Sequence, residues 1–183
     1  MRGEGTIRQA LADALFDCTS VLDVGCGPGA VYLAHLPATV TARCGLDAHR
    51  PYLEDVQPHC TVMHGDATVT LPAMPSKVFD GVMALDFIEH LEKPAAFRLL
   101  EQFKRLARRK VVIFTPEGMH AQNDQLPNAG RFTSAEWEWQ THRSAWEAEE
   151  LAALGYTVQI WDFNYGKAEG MQRALWAVME IPV

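Results

Sequence analysis

Apolar residues along this chain switch between two periods. Ile7, Leu11, Leu15 and Phe16 recur at helical spacing and predict a helix over 7–16. The stretches 20–24, 41–46, 60–64, 78–85 and 111–115 are short apolar runs bounded by glycine, proline or polar residues, and they predict strands. Between them the pattern predicts helices over 30–36 and 95–106, and a weak one over 51–56 with Pro51 in its first turn. Residues 67–76 hold Pro72 and Pro75 and read as loop with a short turn. A helix over 144–154 should stop at Gly155. The β-rich runs 156–163 and 174–181 follow, joined by a glycine-containing link, and should pair antiparallel.

Strands that alternate with helices imply a parallel sheet covered on both faces, here ending in an antiparallel hairpin at its edge. No repeat, low-complexity tract or linker breaks the pattern, so one domain is expected over 1–183. The least regular part is 116–143. Connections of that length are usually functional or disordered, and 116–146 is expected to form a lid or insert over a substrate.

Composition narrows the classes. The chain has 183 residues, enough for a full core, and 48% of them are hydrophobic. No apolar run approaches the ~20 residues of a membrane span, and the first residues carry no apolar signal core. Cys18, Cys26, Cys44 and Cys60 show no metal-type pairing, and reduced thiols in a cytoplasmic setting are expected. The net charge of −7 argues against a nucleic-acid partner. The cluster Lys104, Arg105, Arg108, Arg109 and Lys110 reads as cations complementing a helix end.

The chemistry concentrates after the first strand, in Val21-Leu22-Asp23-Val24-Gly25-Cys26-Gly27-Pro28-Gly29. A glycine turn at the carboxyl end of such a strand binds nucleotide-like ligands in the crevice beyond it. Glycine spacing alone does not separate a dinucleotide from an adenosyl ligand, because Ala30 is tolerated at the third fingerprint position. Pro28 removes an N–H that a pyrophosphate would use. Asp47 follows Gly27 by about the 20 residues expected of a carboxylate on ribose hydroxyls. Asp66 follows the third strand, where a carboxylate can accept from an adenine amino group. The fourth strand exits through Phe79-Asp80-Gly81-Val82-Met83-Ala84-Leu85-Asp86-Phe87-Ile88-Glu89-His90-Leu91. Asp80 reads as a carboxylate satisfied by backbone.

In order and spacing, the V-L-D-V-G-C-G-P-G block, the G-L-D, the G-D-A and the F-D-x-V…E-H-L-x-x-P resemble the class I S-adenosylmethionine-dependent methyltransferases of the small-molecule group, over residues 20–115. The resemblance implies a Rossmann-like, doubly wound α/β sheet of seven strands, order 3-2-1-4-5-7-6, with an antiparallel terminal strand. It implies S-adenosylmethionine as cofactor. Asp23 and the backbone of Gly25, Cys26 and Gly27 would hold the amino-acid end of that cofactor. Asp47, with Ala48 beside it, would bind the ribose, Asp66 and the amide of Ala67 would face the adenine, and Leu85 and Asp86 would line the wall beside the methyl group.

Three histidines are candidate general bases. His90 either takes a hydroxyl proton or packs beneath the cofactor with its ring bonded to backbone. His120 and His142 lie in the irregular region. Asp86, His120 and Trp146 are expected at the acceptor, and Trp137, Trp139 and Trp146 either wall a pocket or pack the lid. A metal site from His120, Asp124 and His142 matches no strong pattern, so no metal ligand is assigned. The N-P-P-Y-like run of many amino-group methyltransferases is absent, and Leu85-Asp86-Phe87-Ile88 stands in its place. The expected reaction is methyl transfer to a small-molecule acceptor, foremost a hydroxyl oxygen of a sugar, lipid or secondary metabolite. A short lid or a homodimer partner would cover that acceptor. The rivals are a non-catalytic cofactor-binding subunit and an NAD-dependent oxidoreductase.

Overall fold

The computed structural model describes residues 4–54, 56–119, 139–163 and 172–182. One sheet organises them. Its strands are β1 (Ser20–Val24), β2 (Ala42–Asp47), β3 (Thr61–His64), β4 (Phe79–Leu85), β5 (Ala107–Pro116), β6 (Thr157–Phe163) and β7 (Gln172–Glu180). Their order is 3-2-1-4-5-7-6. Strands β3-β2-β1-β4-β5 pair in parallel, while β7 runs antiparallel to both β5 and β6. The expected sheet order and the expected edge hairpin are therefore both present.

Strand periodicity sorts the core into two layers, since neighbouring side chains point to opposite faces. Leu22, Val24, Val82, Ala84, Val111 and Ile113 pack on one face with α4 (Lys93–Leu106). The apolar stripe Ala96, Leu99, Leu100, Phe103 and Leu106 makes that helix amphipathic. Val21, Met83, Leu85, Val112 and Phe114 face the other way, against Ile7, Leu11 and Leu15 of α1 (Glu4–Ala14) and Leu33 of α2 (Val31–Ala34). No helix among the described residues is long and apolar enough to cross a membrane.

Four elements differ from the sequence reading, each for a local reason. Ala67–Ala73 is a helix, α3, rather than a loop. Asp66 caps it, its Oδ1 accepting from the Thr68 N–H and hydroxyl at 2.7 Å each. Pro72 lies inside it near the C-terminal end, where it removes an N–H that would reach the Thr68 carbonyl. The helix expected over 30–36 is shortened, because Gly29 and Ala30 take left-handed φ of 68° and 49° before α2 begins. Around Pro51 there is only a 3₁₀ turn, Arg50–Leu53. The helix expected from 144 starts at Ala148 (α5, Ala148–Ala153), behind a capping box of Glu147 and Glu150.

Lys104 and Arg105 sit in the last turn of α4, as expected of cations complementing a helix end, and the basic cluster also ties elements of the fold together. Arg105 donates to the Leu71 and Met74 carbonyls at the end of α3. Arg108 pairs with Asp80, Arg109 with Asp17, and Lys110 with Asp17 and Glu180. Asp80 is held by Thr19, whose N–H and hydroxyl both donate to its Oδ2.

Candidate functional site

The order in which strands are added reverses between the parallel neighbours β1 and β4. From β1 the sheet grows outward through β2 and β3, and from β4 it grows the opposite way through β5. Such a switch opens a crevice beyond the carboxyl ends of the two strands, and a cavity of about 500 Å³ lies there.

Asp23, near the end of β1, lines it. This residue is 1% exposed, and neither of its carboxylate oxygens has a hydrogen-bond partner among the described residues. Burial, reinforced by the nearby charge of Asp47, pushes its carboxyl up to about 8. A buried carboxylate without partners is costly, and a cationic group in the cavity would relieve it. Arg8 of α1 lines the same cavity and presents a buried Nε that is also unpartnered.

The glycine turn that follows is stapled to β2. The N–H groups of Gly25 and Cys26 both donate to the Leu46 carbonyl, at 2.8 and 3.2 Å. Gly25 and Gly27 hold φ of 72° and 66°, conformations that glycine adopts without strain. Gly27 then donates its N–H to Asp47 Oδ2 at 2.9 Å, and His49 donates to Oδ1 at 2.8 Å. Asp47 is thereby fixed at the cavity wall, and each oxygen keeps a lone pair for a ligand hydroxyl.

Cys26, Ala48, Asp66, Ala67 and Leu85 complete the arc around the cavity. Asp66 uses Oδ1 for the cap of α3. Asp86 lines the opposite wall with a left-handed φ of 48°, and its N–H donates to the Phe114 carbonyl at 2.8 Å. Strained non-glycine backbone of this kind collects at functional sites.

Past Asp86 the chain turns through Ile88–His90. Glu89 is 2% exposed and lies behind the wall, accepting from the Thr115 hydroxyl at 2.9 Å. Burial pushes its carboxyl up to about 7. His90 lines the cavity, and burial lowers its imidazole below the ordinary histidine value. The segment 141–146 is tied to this turn. Arg143 and Ser144 donate their N–H groups to the Glu89 carbonyl, the Ser144 hydroxyl donates to the Ile88 carbonyl, and Arg143 Nη1 donates to the His90 carbonyl.

Every expected cofactor residue, from Asp23 and Gly25 through Leu85, thus borders one cavity. Unpartnered groups of opposite sign, Asp23 and Arg8, suit the zwitterionic amino-acid end of S-adenosylmethionine, and the turn supplies close backbone approach. A pyrophosphate would instead face the carboxylates Asp23 and Asp47, with Pro28 lacking an N–H.

The comparisons with known proteins agree. The family described as "Methyltransferase domain" matches residues 21–110. Residues 21–110 of this chain carry a methyltransferase domain, with the sheet order expected of the class I S-adenosylmethionine-dependent enzymes. No curated protein matches the sequence. Among solved structures, the N-terminal domain of EvdMO1, crystallised with SAH and D-fucose, is similar at 15% identity and a TM-score of 0.66, over 96% of this chain and 82% of that one. Magnesium protoporphyrin IX methyltransferase (ChlM) from Synechocystis PCC 6803, with bound SAH, is similar at 17% identity and a TM-score of 0.59, over 96% and 82%. A SAM-dependent methyltransferase from Archaeoglobus fulgidus is similar at 19% and 0.59, over 94% of each chain. At these identities the likeness speaks for the fold.

The methyltransferase's acceptor side holds both agreements and corrections. Trp146 does not reach the cavity. It is fully buried, its ring packs against Phe97 at 5.3 Å between centroids, and its Nε1–H donates to Ser144 Oγ. Lys93 Nζ lies 3.7 Å from the Trp146 ring centroid. The indole fills the core beneath α4, so an acceptor cannot touch it. Trp139 does line the cavity, 44% exposed. His142 packs edge-on against His90, with ring centroids 4.9 Å apart. His120, Asp124 and Trp137 lie outside the described residues. Arg8, Tyr32, Phe87, Gln140 and Arg143 also line the cavity. The sequence reading missed them because Phe87 has no polar group to mark it within its motif, and the other four belong to no motif and keep no fixed spacing to one.

Proposed function

We propose that this methyltransferase acts on a hydroxyl oxygen of a small molecule, with a sugar, lipid or secondary metabolite as the acceptor class. The observation that carries the reading is that Asp86 and His90 border the same cavity as Asp23 and the glycine turn. Acceptor and donor groups would therefore meet in one enclosed space. The chain also has Leu85-Asp86-Phe87-Ile88 where an amino-group methyltransferase would carry its N-P-P-Y-like run.

S-adenosylmethionine, when bound, supplies an electrophilic methyl group on a sulfonium. Asp23 would pair with the ammonium of its amino-acid end and Arg8 with the carboxylate, while the turn at Gly25–Gly27 offers backbone close at hand. Asp47 would accept from the ribose hydroxyls, and Asp66, with the Ala67 amide, would meet the adenine edge. Leu85 closes the wall beside the reacting centre. Asp86 would accept the hydrogen bond of the acceptor hydroxyl, aim its oxygen and take its proton, balancing a transfer in which the C–O bond forms as the methyl–sulfur bond breaks and SAH leaves. Holding the two reactants in line is worth a large share of the acceleration. Trp139 and Arg143, on the same wall, would bound the acceptor. The crystallisation of the EvdMO1 domain with D-fucose supports sugars as the first class to try.

The test is turnover of methyl-labelled S-adenosylmethionine by the full chain against panels of sugars, lipids, phenolic metabolites and amines. Label in an alkali-stable ether is expected. Label confined to amines, or SAH binding without turnover on any panel, would overturn the reading.

A further inference from the structure

Glu89, His90 and His142 form a polar cluster at the edge of the cavity that the proposed transfer does not use. Two segments far apart in sequence build it. Glu89 and His90 sit on the turn leaving β4, and His142 arrives on the segment pinned there by Arg143 and Ser144. One ligand-capable atom from each of the three lies within 4.8 Å of the others.

The polarity of the facing atoms is the decisive feature. Glu89 Oε2 accepts from the Thr115 hydroxyl, but Oε1 has no hydrogen-bond partner among the described residues although Glu89 is 2% exposed. His90 Nδ1 lies 3.3 Å from the Thr141 carbonyl oxygen. In the tautomer that donates Nδ1–H to this carbonyl, Nε2 carries the lone pair; the backbone of Asp86 and Gln140 also lies within hydrogen-bond reach of the ring. That lone pair faces Glu89 Oε1 at 4.0 Å. The two groups face each other across a gap too wide for a hydrogen bond, with a second imidazole beside them.

We propose that Glu89, His90 and His142 bind a divalent first-row transition metal ion through one carboxylate oxygen and two imidazole nitrogens. Ligand bonds of about 2.0–2.2 Å place neighbouring donor atoms roughly 3–4 Å apart, which the Glu89–His90 pair already satisfies. Imidazole donors suit zinc and its neighbours, whereas magnesium and calcium take oxygen shells. The second shell matches too. The Thr141 carbonyl orients His90 through its other ring nitrogen, and Thr115 orients Glu89, as outer partners do in metal sites. Three protein ligands leave a coordination position open, and His90 turns the site toward the cavity. A water or an acceptor hydroxyl can fill it. Only this last use rests on the methyl-transfer reading; cation binding does not.

The experiment uses Co²⁺ as the probe on the full chain after chelation and dialysis. A visible d–d band that saturates at one equivalent and is displaced by Zn²⁺ is expected. His142→Asn and Glu89→Gln should each weaken Co²⁺ binding by more than about tenfold. Retained SAH affinity shows that each variant is folded, and His142→Asn, at a half-buried side chain, decides alone if Glu89→Gln does not fold. Absence of a saturable band overturns the proposal. So do an intense sulfur charge-transfer band, which places the ion on cysteine, and wild-type Co²⁺ affinity in both variants. Because the readout contains neither cofactor nor acceptor, a negative result leaves the methyltransferase reading standing.

Discussion

The ring of Phe87 closes over Gly25 so tightly that a Cβ at that glycine would sit 2.2 Å from Phe87 Cδ2. The exit of β4 thus locks the turn after β1, and the two halves of the cofactor crevice hold each other in place. Gly25→Ala adds this clash to a left-handed φ of 72°. A loss of roughly 2–4 kcal/mol in stability is expected, together with loss of SAH binding. A Cβ at Gly27 meets nothing within 4 Å, so Gly27→Ala should cost only about 1–2 kcal/mol of backbone strain. Urea denaturation of the two variants side by side checks the ordering.

Asp23 gives the free protein a defined pH response. Its carboxyl is raised from 3.8 to about 8 by burial, so the fold prefers the protonated form. The stability this group contributes is full below its unfolded value, falls as pH rises toward about 8 and is then exhausted. A cationic ligand prefers the carboxylate. SAH binding below pH 8 should therefore release a proton, and affinity should rise with pH up to that point. Calorimetry of SAH binding in two buffers of different ionisation enthalpy measures the proton. Asp23→Asn should abolish both the proton release and the pH slope; a slope that persists in this variant would assign it to another group.

Trp146 should behave as core. Trp146→Phe removes the Nε1–H donated to Ser144 and leaves space under α4. The expected cost is about 2 kcal/mol, with SAH affinity and the acceptor KM unchanged. A raised KM with unaltered stability would return this residue to the acceptor site.

Arg43 should not tolerate lysine. Its guanidinium donates to the carbonyls of Leu33, Ala34, Leu36, Val40 and Pro37, gathering the end of α2 and the loop behind the glycine turn. An ammonium cannot reproduce that fork. Arg43→Lys is expected to cost about 1–3 kcal/mol and to weaken SAH binding by moving α2. Thermal melts with and without SAH separate the two effects.

How far the sequence was legible varies by position. Asp23, Asp47 and Asp66 were readable because each ends or follows an apolar run, and a parallel sheet brings all such ends to one edge. Arg8 was not, since nothing in the α1 periodicity tells which of its polar positions borders a cavity. Helix α3 was hidden by Pro72, because the cap from Asp66 that compensates it is a side-chain contact rather than a pattern. Trp146 was misread because an aromatic residue in an irregular segment has the same signature whether it walls a pocket or fills a core.

By itself the sequence determined the alternation of strands and helices, the glycine turn and the carboxylates around it, because periodicity and turn chemistry act over a few neighbouring residues. The tertiary structure decided what depends on distance across the chain. It put both oxygens of Asp23 out of reach of any partner among the described residues, sank Trp146 beneath α4, and set His142 beside Glu89 and His90. The last two outcomes follow from hydrogen bonds between the turn at Ile88–His90 and the segment 141–146, contacts that no local pattern encodes.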